Sequence, residues 1–206
     1  MPEQTLRRIP LYHQILIDLE AEGETQVSSR TLAGFFRIDE TQVRKDVGVI
    51  GYRGRPKTGF SVAGLRGAIG DFLGVNFQSS AIIVGAGRLG AALSSYAGLS
   101  QYGVSLVGVF DSDPAKLGSP VGGLKVRSMR GLAGITKRLD VGIAILTVPR
   151  EAAQGVCDRV VSLGIEAIWN FAPVQLSVAP HIVVRDENLA VGLAILSHYH
   201  KARLHP

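Results

Sequence analysis

With 206 residues, 46% of them hydrophobic and 19% charged, the chain can bury a core, is too apolar to be disordered, and has room for one large domain or two small ones. No apolar run approaches the ~20 residues of a membrane span, and the charged N-terminus lacks the apolar stretch of a signal peptide. The single cysteine, Cys157, excludes an internal disulfide framework and fits a reducing cytoplasm, while the net charge of +5 points toward an anionic partner.

The first elements read as helices. Leu11, Ile15, Leu16 and Leu19 recur at helical spacing over 10–22, and Gly23 stops the run. Ser28 or Ser29 can cap a second, short helix through Leu32, Ala33, Phe35 and Phe36. Asp39 is a natural N-cap for a third, over 40–49, in which Val43, Val47 and Ile50 face inward and Thr41, Gln42, Arg44 and Lys45 face outward. Arg and Lys suit guanine edges and phosphates, and Gln suits adenine, so this is the pattern of a helix-turn-helix with a recognition helix. Residues 51–60 then bring glycines, a proline and the bases Arg53, Arg55 and Lys57, the composition of a hairpin wing. Between positions 41 and 66 six basic residues stand against one acid, Asp46, the charge density expected of phosphate contact. A winged-helix domain over 1–75 is predicted, with a linking helix over 62–73 and a boundary at 74–80; a helical cap over a nucleotide fold is the alternative.

From Ser80 onward apolar strands alternate with helical patterns, the signature of a parallel sheet with crossovers and so of an α/β fold. Strands are expected at 82–84, 105–110, 124–126, 141–146, 167–170 and 181–184, with helices at 88–99, 129–137 and 150–163. Ligands in such sheets bind beyond the carboxyl ends of the strands, and the first exit carries Gly85-x-Gly87-x-x-Gly90 between a strand and a helix. Glycines there permit a tight turn, approach of backbone to a pyrophosphate, and close helix–strand packing, with Ala86, Arg88 and Leu89 completing the loop. Asp111 ends the second strand 26 positions after Gly85, where an acid accepts hydrogen bonds from ribose hydroxyls. An acid there repels a 2′-phosphate, and no Arg or Lys follows before Lys116, so NAD(H) is expected over NADP(H). Thr147-Val148-Pro149 ends the fourth strand, and Asn170-Phe171-Ala172-Pro173 offers an amide and an apolar wall for a nicotinamide ring. Such a wall favours neutral NADH, with NAD+ as the weaker competitor, because burying an unpaired charge is unfavourable.

No Cys/His or Ser/His/Asp arrangement converges on these exits, the five histidines are scattered, and His198 and His200 face different sides of a helix; no catalytic or metal site is expected. A final helix over 186–204 carries Leu189, Leu193, Leu196 and His200 on one stripe, with Tyr199 beside it. Two other classes remain open on residues alone, a small NAD-dependent oxidoreductase with a helical cap and a CoA-binding domain.

Gln42-Val-Arg-Lys-Asp46, Val84-Gly-Ala-Gly-Arg-Leu-Gly-Ala-Ala-Leu93, Phe110-Asp-Ser-Asp-Pro114, Thr147-Val-Pro-Arg-Glu151 and Asn170-Phe-Ala-Pro173 together resemble the Rex family of redox-sensing transcriptional repressors, nearly end to end. The resemblance implies a homodimer with a winged helix over 1–75, a Rossmann-like NAD(H) domain over 80–184 and a dimerisation helix over 186–204 exchanged between subunits. It implies repression from an inverted-repeat operator in double-stranded DNA and release by NADH. It also gives Gly85, Gly87 and Gly90 to the phosphate loop, Asp111 to the adenosine ribose, and Tyr96 to a redox switch. The usual partner of that tyrosine is an aspartate near the start of the last helix, where this sequence places Asn188 rather than Asp186.

Overall fold

Helix α1 runs over Glu3–Ala21 with Pro10 inside it. Proline forfeits one backbone hydrogen bond and disfavours a helix by ~3 kcal/mol, while burying Ile9, Tyr12 and Leu16 on one face returns about 1.5–3 kcal/mol each. Burial wins, and the helix starts before Pro10 instead of at it. Its inward face is therefore Ile9, Tyr12, His13 and Leu16; Leu11, one of the apolar residues recurring at helical spacing, is 51% exposed.

The computed structural model describes residues 1–55 and 58–204. Strand β1 (Gln26–Val27) pairs antiparallel with β2 (Phe60–Ser61). Between them lie α2 (Ser29–Phe36), whose cap Ser28 accepts the Thr31 N–H, and α3 (Glu40–Val49), whose cap Asp39 accepts the Thr41 N–H. Arg55 and Gly59 exchange two backbone hydrogen bonds, of 2.7 and 3.0 Å, and so form the wing hairpin. Helix α4 (Val62–Leu73), read from sequence as a link, buries Leu65 and Ile69 in one core with Ile9, Tyr12, Leu16, Val43, Val47 and Phe60. These elements make up one unit, Met1–Phe77; Gln78–Pro206 is the other.

The second unit is a seven-stranded sheet in the order β5-β6-β4-β3-β7-β8-β9. Its strands are β3 (Ser79–Val84), β4 (Val104–Asp111), β5 (Pro120–Val121), β6 (Leu124–Ser128), β7 (Val141–Leu146), β8 (Ala167–Asn170) and β9 (Val183–Asp186). All pairs are parallel except β5–β6. The chain leaves β3 for β4 and β6, then returns to β7 on the other side of β3, which opens a crevice beyond the carboxyl ends of β3 and its neighbours. Phe110, Leu146, Leu132 and Val160 pack one face of the sheet; Ile83, Val109 and Ile145 pack the other.

The helices are α5 (Arg88–Ser94), α6 (Gly98–Gln101), α7 (Leu132–Leu139), α8 (Arg150–Ser162) and α9 (Leu189–Leu204). The helix expected over 88–99 is broken after Ser94, and Tyr96 sits in the break, its ring filling the space a side chain on Gly98 would need. The last helix starts at Leu189, because Asp186 is the final residue of β9, paired with Asn170. All the described side chains of α9 are exposed, Leu193 at 69% and Leu196 at 64% among them. Among the described residues no helix is long and apolar enough to cross a membrane.

Candidate functional site

The one acid in the basic segment is the anchor of the recognition helix. Asp46 is fully buried, and its Oδ1 accepts the Thr5 hydroxyl (2.9 Å), Arg8 Nη2 (3.0 Å) and the Gln42 amide (2.8 Å). Its Oδ2 accepts Arg8 Nε (2.6 Å) and the Tyr12 hydroxyl (2.9 Å). Burial opposes the charge, but these donors, Arg8 foremost, outweigh it and hold the carboxyl below its usual range. Burial and the adjacent carboxylate push the Tyr12 phenol up. Four hydrogen bonds thus bolt α3 to α1, and Gln42, expected outward, is half-buried and turned back onto Asp46 within its own helix.

Thr41, Arg44 and Lys45 remain exposed on α3. Arg44 Nη1 donates to Ser29 Oγ at 3.0 Å and Nη2 to Thr41 Oγ1 at 3.3 Å, which lays the guanidinium across the start of α2. Arg44, Arg53 and Arg55 line one open groove of about 510 Å³ with Ser28, Ser29 and Tyr52. Three guanidinium groups and two serine hydroxyls on a concave face are suited to a phosphate backbone. Lys57 lies outside the described residues.

In the second unit the three fingerprint glycines have different reasons to be glycine. Gly85 leaves β3 with φ +107°, and a Cβ there would lie 2.6 Å from the Thr147 carbonyl oxygen. A Cβ on Gly90 would overlap the Gly85 carbonyl oxygen and come within 2.8 Å of Thr147 Oγ1. The Thr147 hydroxyl donates to that same Gly85 oxygen at 2.7 Å, so strand, loop and helix are locked together at the end of β7. A Cβ on Gly87 would meet no atom within 4 Å. The space over Gly87 is open, as a backbone that receives a pyrophosphate requires.

That space belongs to a crevice of about 500 Å³ lined by Gly85, Gly87, Leu89, Asp111, Thr147, Val148, Pro149 and Phe171, together with Ser112, Asp113, Lys116, Met129 and Val156. Asp111, 8% exposed, accepts the Ala86 N–H (2.7 Å) and the Lys116 ammonium (2.9 Å) at Oδ2 and the Asp113 N–H (2.8 Å) at Oδ1. Burial would raise its pKa, yet the bonds from Asp113, Lys116 and Ala86 together bring it below the usual range. The ion pair in turn raises Lys116. Asp113 caps a 3₁₀ turn, Pro114–Lys116, that folds the lysine back onto Asp111, a contact that the sequence alone does not mark.

Two family models match the chain, "Putative DNA-binding protein N-terminus" over residues 1–47 and "CoA binding domain" over residues 76–174. The redox-sensing transcriptional repressor Rex of Treponema denticola is 38% identical over 192 residues, covering 93% of this chain and 91% of the relative. The chain belongs to the Rex family. The Rex of Desulfitobacterium hafniense is 36% identical, covering 96% and 94%. Among solved structures, the Rex-family repressor RSP in complex with β-NAD+ and operator DNA matches with TM-score 0.92 at 30% identity, covering 98% of this chain and 94% of that one. RSP in complex with β-NADH matches with TM-score 0.89 at 30% identity, covering 98% and 95%. The Rex relatives are named as transcriptional regulators, not enzymes.

The other residues of the Rex pattern fall into place unevenly. Arg88 is exposed at the start of α5, and Tyr96 is 59% exposed. Asn170 is fully buried, with both amide protons donated, to the Val174 carbonyl (2.8 Å) and Asp186 Oδ1 (2.7 Å), and Oδ1 accepting the Ala172 N–H (3.0 Å). Its amide thus ties β8 to β9 and the following loop, where a nicotinamide contact had been expected. Ala172 and Pro173 line a separate cavity of about 470 Å³ with Arg150, Asp186 and Asn188. Asn188 Oδ1 accepts the Ala190 N–H at the start of α9. Two residues missed from sequence matter most. Asp46 could have been found from its spacing, one turn past the inward-facing Val43, and Lys116 from the Asp113-Pro114 turn signal before it.

Proposed function

We propose that this chain is a dimeric transcriptional repressor that reads the NADH/NAD+ ratio and leaves a palindromic operator when NADH binds. The observation that carries the reading is the presence, in one Rex-family chain, of a basic groove built on a recognition helix and a crevice at the switch point of a parallel sheet. Exposed Thr41, Arg44 and Lys45 on α3 meet the major groove, and Arg53, Arg55 and Lys57 the backbone beside it. In the crevice the backbone at Gly85–Gly90 faces the pyrophosphate, Asp111 accepts from the adenosine ribose, and Thr147–Pro149 with Phe171 wall the nicotinamide end. The exposed apolar side chains of α9, Leu193 and Leu196 among them, find their cover in the partner subunit, which makes 189–204 the dimerisation helix. A cytoplasmic location goes with this role.

NADH can shift the dimer only by binding the released state better than the DNA-bound one. Moving from 99:1 to 1:99 takes about 5.5 kcal/mol, a load two sites per dimer share. By linkage, operator DNA weakens NADH binding by the same factor. The test is fluorescence anisotropy of a labelled palindromic operator at fixed salt, titrated with NADH, NAD+ and coenzyme A. Release by NADH at far lower concentration than NAD+ is expected. Release by coenzyme A instead would favour the second reading, which the CoA binding domain match supports. DNA binding that ignores all three would remove the sensor.

A further inference from the structure

A strand-exit aspartate excludes a ribose 2′-phosphate because two anions would meet in a partly buried site, a rule that presumes no cation at that spot. Here one is present. Lys116 Nζ lies 2.9 Å from Asp111 Oδ2, the oxygen that also accepts the Ala86 N–H of the glycine loop. The lysine side chain is 40% exposed and lines the crevice with Asp111 and Ser112, so its ammonium faces both the acid and the open space. It is held there by backbone: Asp113 Oδ1 accepts the Ala115 N–H at 3.0 Å, and Pro114 opens the single turn that ends at Lys116. Asp113 is the opposing charge in the same turn, so the cation offsets one carboxylate of two.

We propose that Lys116 is a specificity-determining residue of the crevice, an ammonium that accepts a 2′-phosphate beside Asp111 and lets the site take a 2′-phosphorylated dinucleotide at a modest disadvantage to the unphosphorylated one. The inference rests on the reading of the crevice as a dinucleotide site. Lys116 pairs with Asp111 when the 2′-position is a hydroxyl and with the phosphate when it is not, a choice a flexible four-carbon stem permits. The two dinucleotides therefore share a binding mode and differ in where one ammonium points.

The experiment is direct titration of the full chain with NADH and with NADPH, followed by nicotinamide fluorescence, for the natural protein, Lys116→Ala and Lys116→Arg. The expected result is measurable NADPH binding by the natural protein. Lys116→Ala should raise the NADPH:NADH ratio of Kd values by roughly tenfold, the scale of one charge-assisted hydrogen bond. Lys116→Arg should keep the natural ratio and show that charge, not shape, is read. A Lys116→Ala variant that weakens both ligands equally would make the lysine a strut for Asp111 and overturn the proposal. So would a natural protein that binds NADH and rejects NADPH outright. Binding of neither dinucleotide would remove the dinucleotide reading itself, and this inference with it.

Discussion

Asp46 and Asp111 stand in different units, both nearly or wholly buried and both held ionised by surrounding donors, yet they serve opposite ends. Around Asp46 the donors are side chains from α1 and from its own helix, and the carboxylate is fully buried among them. Around Asp111 two of the three donors are backbone N–H groups, the third is a half-exposed lysine, and one side faces a crevice. A buried carboxylate becomes an anchor when the fold fills all its lone pairs, and a receptor when the fold fills enough to ionise it and leaves a wall open.

The sharpest way to break that contrast is to remove each acid. Asp46→Ala leaves the Arg8 charge half-buried without its partner and should destabilise the first unit by about 3–5 kcal/mol, read by denaturant unfolding. Asp111→Ala should destabilise the second unit by less, about 1–3 kcal/mol, while abolishing dinucleotide binding by fluorescence titration. Equal losses of stability would erase the distinction. The pH dependence has a definite sign. Both acids have folded pKa values below the ordinary 3.8, so the stability they confer is fully present above that value and is lost as pH falls below it. Melting temperature should drop below pH 4 in the natural protein, and less steeply in Asp46→Asn.

The glycine loop allows the same comparison within one motif. Gly90→Ala forces a methyl onto the Gly85 carbonyl and should lower stability by about 1–3 kcal/mol, whereas Gly87→Ala, with open space around it, should lie within about 0.5 kcal/mol of the natural protein by thermal melt and still weaken NADH. On the helix that carries no buried side chain among those described, Leu196→Glu should leave both units folded and shift sedimentation from dimer to monomer. Arg44→Ala should have the smallest effect, a decrease of about 0.9 in the slope of log affinity for the operator against log salt, the signature of one lost phosphate contact.

What could be read from the chain alone was what short-range forces decide. Ser28, one of the two serines the sequence offers, and Asp39 cap their helices, α3 and α4 run over the residues their patterns mark, and β7 and β8 match their apolar runs. Gly85, Gly90 and Asp111 sit where the spacing of the fingerprint requires, since a positive φ and close strand–helix packing leave a local trace in residue type. The remainder depended on partners far away in sequence. Pro10 sits inside a helix because Ile9, Tyr12 and Leu16 are buried on its inner face; Gln42 turns inward because Asp46 is there to receive it. Lys116 reaches Asp111 through a turn, and the Asn170 amide is drawn to β9. Periodicity records which face of an element is apolar, but which polar group a neighbour will satisfy is decided only when distant segments pack, since the energy of a buried polar atom depends on the partner it meets.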